Sequence, residues 1–175
     1  YPLGGTILPV EEKSIYRQEK REELGLSEQD IVFCHSGKMD SKKRTYELLY
    51  NFKKVKNEKL RLIIIGVFSD ELQEKIMQLI KEDNRVLYLG WKSSDELIKY
   101  IAASDLYVQP GSQSATMQNA LCSGTPVLFT NVKSHEAFMK GNAFAIEKDD
   151  DMERIFKDIS NTPEILHEMS QNAYL

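Results

Sequence analysis

Apolar residues in this chain fall into short continuous runs separated by longer stretches with helical spacing. Ile31-Val-Phe-Cys34, Leu60 to Ile65, Val86 to Leu89, Asp105 to Gln109, Val127 to Thr130 and Phe144 to Ile146 read as buried strands. Between them lie candidate helices. Glu11 to Leu24 is a polar surface helix closed by Gly25, and Asp40 is placed to cap a helix reaching about Val55, with Tyr46, Leu49 and Phe52 on one face. Ser69 to Lys81 is amphipathic through Leu72, Ile76, Leu79 and Ile80. Ser93 and Glu96 form a capping-box pair ahead of Leu97, Ile98 and Ile101. A helix follows Thr116, with Ala120 and Leu121 on its apolar face, Gly124 as its stop and Pro126 beyond. A short helix ends near Phe138, another covers Asp149 to Ile159, and Thr162-Pro163 opens the last one.

Strands and helices alternate, and the strands are apolar throughout rather than at every second residue. That pattern predicts an α/β fold: a Rossmann-like, doubly wound parallel sheet of about six strands with helices on both faces. The length of 175 residues fits one domain, and neither an internal repeat nor a linker interrupts it. Tyr1-Pro-Leu-Gly-Gly-Thr6 reads as the continuation of something upstream, so the chain is expected to be part of a larger protein.

Charge and composition narrow the choice of partner. The net charge of -4 gives no global basic field for nucleic acid, so phosphate binding must rest on local cations. The apolar runs are too short to span a bilayer. Cys34 and Cys122 show no disulfide or metal spacing, which fits a reducing, cytoplasmic compartment. Asp149-Asp150-Asp151 has an acidic D-x-D spacing but reads as the dipole-favoured start of a helix. No Gly-x-Gly-x-x-Gly fingerprint for a dinucleotide is present.

In doubly wound sheets the ligand lies beyond the carboxyl ends of the strands. Four such ends carry glycine: Gly37, Gly66, Gly90 and Gly111. Past Gly111, the residues Ser112, Ser114 and Thr116 bring hydroxyls and backbone N–H groups to a helix start, a combination suited to an anion. Lys38, Lys42, Lys43 and Arg44 follow the first strand. Cations in the first turn of a helix oppose its dipole by about 0.3–1 kcal/mol each, and a bound phosphate reverses that sign. The two stretches together predict a split phosphate site, with lysines on one side and helix N–H groups on the other.

Gly37-Lys38 followed by Lys43, then Gly66, Gly90-Trp91, Ser104 to Gly111 and Asn119-Ala-Leu-Cys-Ser-Gly-Thr-Pro-Val127, resemble the C-terminal, nucleotide-sugar-binding half of GT-B glycosyltransferases, nearest to the retaining family 4. The resemblance covers roughly residues 6 to 160. It implies that residues 1–175 form a single donor-binding domain whose N-terminal acceptor half lies elsewhere, and that the isolated piece is inactive. It further implies transfer of a hexosyl group from a UDP- or GDP-linked sugar to a glycan or lipid-linked acceptor, with no metal or additional cofactor. By the same resemblance the protein works in the cytoplasm at the inner membrane face, in polysaccharide biosynthesis, with peripheral membrane contact through the other half.

The residues carried over are Lys38 and Lys43 for the departing diphosphate, and Gly37, Gly66, Gly90, Trp91, Gly111, Ser112, Ser114, Thr116 and Asn119 for the donor. Two departures stand out. Lys38 replaces an arginine, which keeps the charge and loses the bidentate fork. Asn119 replaces a glutamate associated with the donor ribose, and a second acidic residue has no counterpart in the shortened loop. These losses support an alternative, a non-catalytic nucleotide- or phosphate-binding module. Trp91 reads either as a base-stacking residue or as half-buried packing, and packing is the commoner outcome. His35 reads as a satisfied histidine at the edge of the core, and Glu136 as a further candidate near the donor, with His135 beside it.

Overall fold

A computed structural model describes residues 10–39, 44–68, 70–109, 124–130, 143–146 and 150–173. Its strands are β1 (Ile31–Met39), β2 (Leu60–Phe68), β3 (Val86–Gly90), β4 (Leu106–Gln109), β5 (Val127–Thr130) and β6 (Ala143–Ile146). Its helices are α1 (Val10–Leu24), α2 (Thr45–Lys54), α3 (Asp70–Glu82), α4 (Ser94–Ala102), α5 (Asp150–Asn161) and α6 (Glu164–Ala173). The six strands are all parallel, in the order β3-β2-β1-β4-β5-β6. The doubly wound fold expected from the apolar runs is therefore present.

Alternation along each strand divides the core into two faces. Phe33, Leu62, Ile64, Leu106, Val108 and Leu128 point to one face and meet Leu48, Leu49 and Phe52 of α2, Ile76 of α3, and Met152, Ile155 and Phe156 of α5. At its centre Phe33, Phe52 and Phe156 pack with ring centroids 5.0–6.2 Å apart. Val32, Cys34, Ile63, Ile65 and Tyr107 point to the other face, against Tyr100 and Ile101 of α4. Burial drives the Cys34 thiol up to about 12, so it stays protonated as an inert core group.

Several boundaries differ from the sequence expectation. β1 and β2 do not stop at Gly37 and Gly66; their ladder continues through Lys38↔Val67 and Met39↔Phe68. Each strand supplies the other with backbone partners, so the glycines are carried inside the ladder. α2 begins at Thr45 rather than near Asp40, which lies outside the described residues. Arg44 holds the cap position in a left-handed conformation (φ 58°) and makes no side-chain cap bond, so it precedes the helix instead of belonging to its first turn. Tyr46 is not on the buried face of α2. It is 40% exposed and stacks on exposed Tyr50, while Leu48, Leu49 and Phe52 face the core. The Ser93 cap is present as expected, its hydroxyl accepting from Glu96 N–H at 3.3 Å. The predicted helices after Thr116 and before Phe138 lie outside the described residues.

Candidate functional site

β2 and β3 extend the sheet on one side of β1, and β4, β5 and β6 extend it on the other. The crossover direction reverses between β1 and β4. In doubly wound sheets such a topological switch point is where the ligand crevice lies, beyond the carboxyl ends of the strands. The paired register between them covers only Phe33↔Leu106 and Cys34↔Tyr107.

Near their carboxyl ends β1 and β2 approach each other tightly. Gly37 pairs with Gly66, and the two have φ of 126° and 139°, a region side-chain-bearing residues avoid. A Cβ on Gly66 would lie 1.9 Å from the Gly37 carbonyl oxygen, so only glycine lets the strands meet here. Gly90 closes β3, and Trp91 follows it with 69% of its surface exposed. The packing reading of Trp91 is therefore overturned: beyond the sheet edge its ring has no core to enter. Val67, at the end of β2, is exposed as well.

Beneath the crevice lie two buried polar connections. His35, 0% exposed, sits with Nδ1 2.8 Å from the Val108 carbonyl oxygen and Nε2 2.8 Å from Thr45 Oγ1. On the opposite face Ser36 Oγ lies 2.8 Å from the Tyr107 hydroxyl, which donates to Gln109 Oε1 at 3.1 Å. The histidine is satisfied, as expected. The partnership of Ser36, Tyr107 and Gln109 was not anticipated. Its signal was present: three hydroxyl or amide residues at the ends of otherwise apolar strands, where buried polar atoms require partners.

Lys38 lies in β1 at the mouth of the crevice, in register with Val67. Lys43, Gly111, Ser112, Ser114, Thr116, Asn119, His135, Glu136, Asp149 and Cys122 lie outside the described residues. Asp151 lies in the first turn of α5 and pairs with Arg154 at 3.8 Å, as a helix-start acid does.

The amino ends of the strands have a different chemistry. Asp105, just before β4, accepts from Val32 N–H at 2.9 Å, from Arg17 at 2.8 Å and from Arg21 at 2.9 Å. Buried Arg21 also donates to the carbonyls of Ala103, Ser27 and Asp30. Arg85, before β3, donates to the carbonyls of Phe52, Val55 and Asn57, capping the C-terminus of α2. A cavity of about 640 Å³ opens at this end, bordered by Lys13, Arg17, Asp105, Pro126 and His167. Desolvation, reinforced by Arg17, lowers the Lys13 amine to about 8 while it donates to the Gly124 carbonyl at 2.8 Å. Desolvation opposes the charge on Lys20, but its bonds to Glu96 and Glu23 outweigh that and hold its pKa above the ordinary value, tying α1 to α4. Among the described residues no group of three or more His, Cys, Asp or Glu is placed to hold a metal ion, and no helix is long and apolar enough to cross a membrane.

The fold recurs in solved structures. Anabaena HepE, in a structure with UDP and glucose, aligns with a TM-score of 0.78 and 18% identity over 91% of this chain and 46% of its own. WaaG, a glycosyltransferase involved in lipopolysaccharide biosynthesis, aligns with a TM-score of 0.78 and 18% identity over 98% of this chain and 50% of its own. The chain thus spans about half the length of each. The C-terminal domain of LpcC, a glycosyl transferase group 1 protein of Francisella tularensis, aligns with a TM-score of 0.72 and 14% identity over 90% of this chain and 89% of that domain. Comparison with curated protein sequences finds no match. The architecture is that of the C-terminal half of GT-B glycosyltransferases, and because residues 16–175 match the family model for glycosyl transferases group 1, the chain belongs to that family.

Proposed function

We propose that this chain is the donor-binding half of a hexosyltransferase that takes its sugar from a nucleoside diphosphate and keeps the anomeric configuration. The observation that carries the reading is the reversal of strand order between β1 and β4, beside which β1 carries Gly37 and Lys38 near its carboxyl end. Family membership supports the reading, and HepE is a relative in fold whose structure contains UDP.

In the proposed reaction the bond between the anomeric carbon and the diphosphate oxygen breaks, and its electron pair leaves with the diphosphate. An acceptor hydroxyl forms the new bond and gives up its proton. Lys38 and Lys43 neutralise the departing charge, assisted by backbone N–H groups of Gly111 to Thr116, with Ser112, Ser114 and Thr116 supplying hydroxyls. Asn119 takes the place of the ribose-binding glutamate and can hydrogen-bond a hydroxyl without bearing charge. Exposed Trp91 stacks on the base. The acceptor and the groups that handle its proton belong to the other half of the parent protein, so the isolated domain binds donor and transfers nothing.

Titration with UDP, GDP and ADP tests the site. Lys43→Ala is expected to weaken the preferred nucleoside diphosphate about tenfold or more, the scale of a charge-assisted hydrogen bond, and the free nucleoside less than twofold. Equal losses remove the role given to Lys43. No saturable binding at millimolar ligand removes the donor reading. Binding by the complete protein without sugar transfer favours the non-catalytic module.

A further inference from the structure

β1 continues to Met39 and β4 to Gln109, yet their backbone register ends at Cys34↔Tyr107. Beyond that pair, side chains join the two strands. The Val108 carbonyl oxygen, the next acceptor on this side of β4, is met by His35 Nδ1 at 2.8 Å. The other ring nitrogen reaches Thr45 Oγ1, at the first residue of α2, also at 2.8 Å. A carbonyl oxygen only accepts, so Nδ1 carries the hydrogen of the first bond. In the neutral ring Nε2 then accepts the Thr45 hydroxyl.

In sequence these two partners stand beside the two segments assigned to the diphosphate. Val108 precedes by two positions the segment beginning at Pro110, and Thr45 follows Lys43 by two. A buried imidazole is costly to desolvate unless both nitrogens are bonded, and here both bonds go to the segments flanking the proposed diphosphate. Arg44, at the cap of α2, provides no side-chain cap bond, and the Thr45–His35 contact ties the first turn of that helix to β1. At 0% exposure His35 cannot itself touch a donor.

We propose that His35 is a positioning residue: through Val108 and Thr45 it fixes the end of β4 against the start of α2, the two anchors from which the proposed diphosphate-binding segments depart. This rests on the donor-site reading above and adds a specificity device to it. Loss of the clamp should weaken binding of the linked phosphates far more than binding of the nucleoside, because the base and ribose do not bridge the two arms.

The test compares Thr45→Val with Thr45→Ser by calorimetric titration of UDP and of uridine, with GDP and guanosine used instead if wild type prefers guanine. Thr45→Val is nearly isosteric and removes the hydroxyl. We expect it to weaken the diphosphate about tenfold and the nucleoside less than twofold, with Thr45→Ser restoring the wild-type ratio. His35→Asn keeps a donor near Nδ1 but is too short to reach Thr45. It should give the same selective loss, and it serves if Thr45→Val does not fold. A folded variant whose diphosphate-to-nucleoside ratio matches wild type overturns the clamp while leaving the donor site standing. A wild-type chain that binds no nucleoside diphosphate overturns the donor site and the clamp together.

Discussion

The two ends of the sheet are built in opposite ways. At the amino end, charge is buried and locked: Asp105 meets two arginines and a backbone N–H, and Arg85 closes α2. At the carboxyl end, the strands part, glycines replace side chains, and Trp91 and Val67 stand in solvent. One end holds its elements together with buried charge. The other joins its strands through uncharged side chains at His35, Ser36 and Tyr107 and leaves a large ring unpacked, which adds nothing to stability and suits a ligand. The contrast separates what keeps the domain folded from what it presents to a substrate.

Asp105→Ala should have the largest effect on folding. It leaves the buried guanidinium of Arg21 without its anion, and loss of one partner from a buried pair costs about 3–5 kcal/mol. A lower urea midpoint with unchanged nucleotide affinity in the surviving folded protein is the expected result. Altered affinity would show that the two ends are coupled. Gly66→Ala comes next. The added carbon meets backbone rather than a flexible side chain, so the cost should be about 1–3 kcal/mol of stability. Here nucleoside diphosphate affinity should also fall, by more than tenfold. Intact affinity would reduce the glycine pair to a packing device. Trp91→Ala should change stability least, by about 0.5 kcal/mol or less. Stacking is worth about 1–3 kcal/mol per base, so nucleoside and nucleoside diphosphate should weaken together, unlike the phosphate-selective pattern expected of Lys43→Ala.

Much of the fold was legible because a strand buried on both faces must be apolar throughout and an amphipathic helix must repeat near 3.6 residues. Ile63, Phe52 and Ile101 carry those signals locally. What remained hidden depends on residues distant in sequence. The passage of β1 and β2 beyond Gly37 and Gly66 depends on each strand having the other as partner. The late start of α2 depends on a backbone turn at Arg44 that the charge pattern of 42–44 does not encode. Asp105 looked like the start of a strand, and nothing near it announces Arg17 and Arg21 across more than eighty residues. At the proposed site, the places of Gly37, Lys38, Gly66 and Gly90 near strand ends were readable as small or charged residues closing apolar runs. The clamp was not, because a histidine's partners are chosen by the packing of three elements.

β3 is an outer strand of five residues, and its register with β2 shifts between Ile64 and Ile65, where Tyr88 and Gly90 are the successive partners and Leu89 is passed over. Such an irregular border offers an incoming extended peptide few consecutive amide groups to copy. At high concentration this margin therefore resists templated growth into larger assemblies, and straightening the passed-over residue would turn it into a site for strand recruitment.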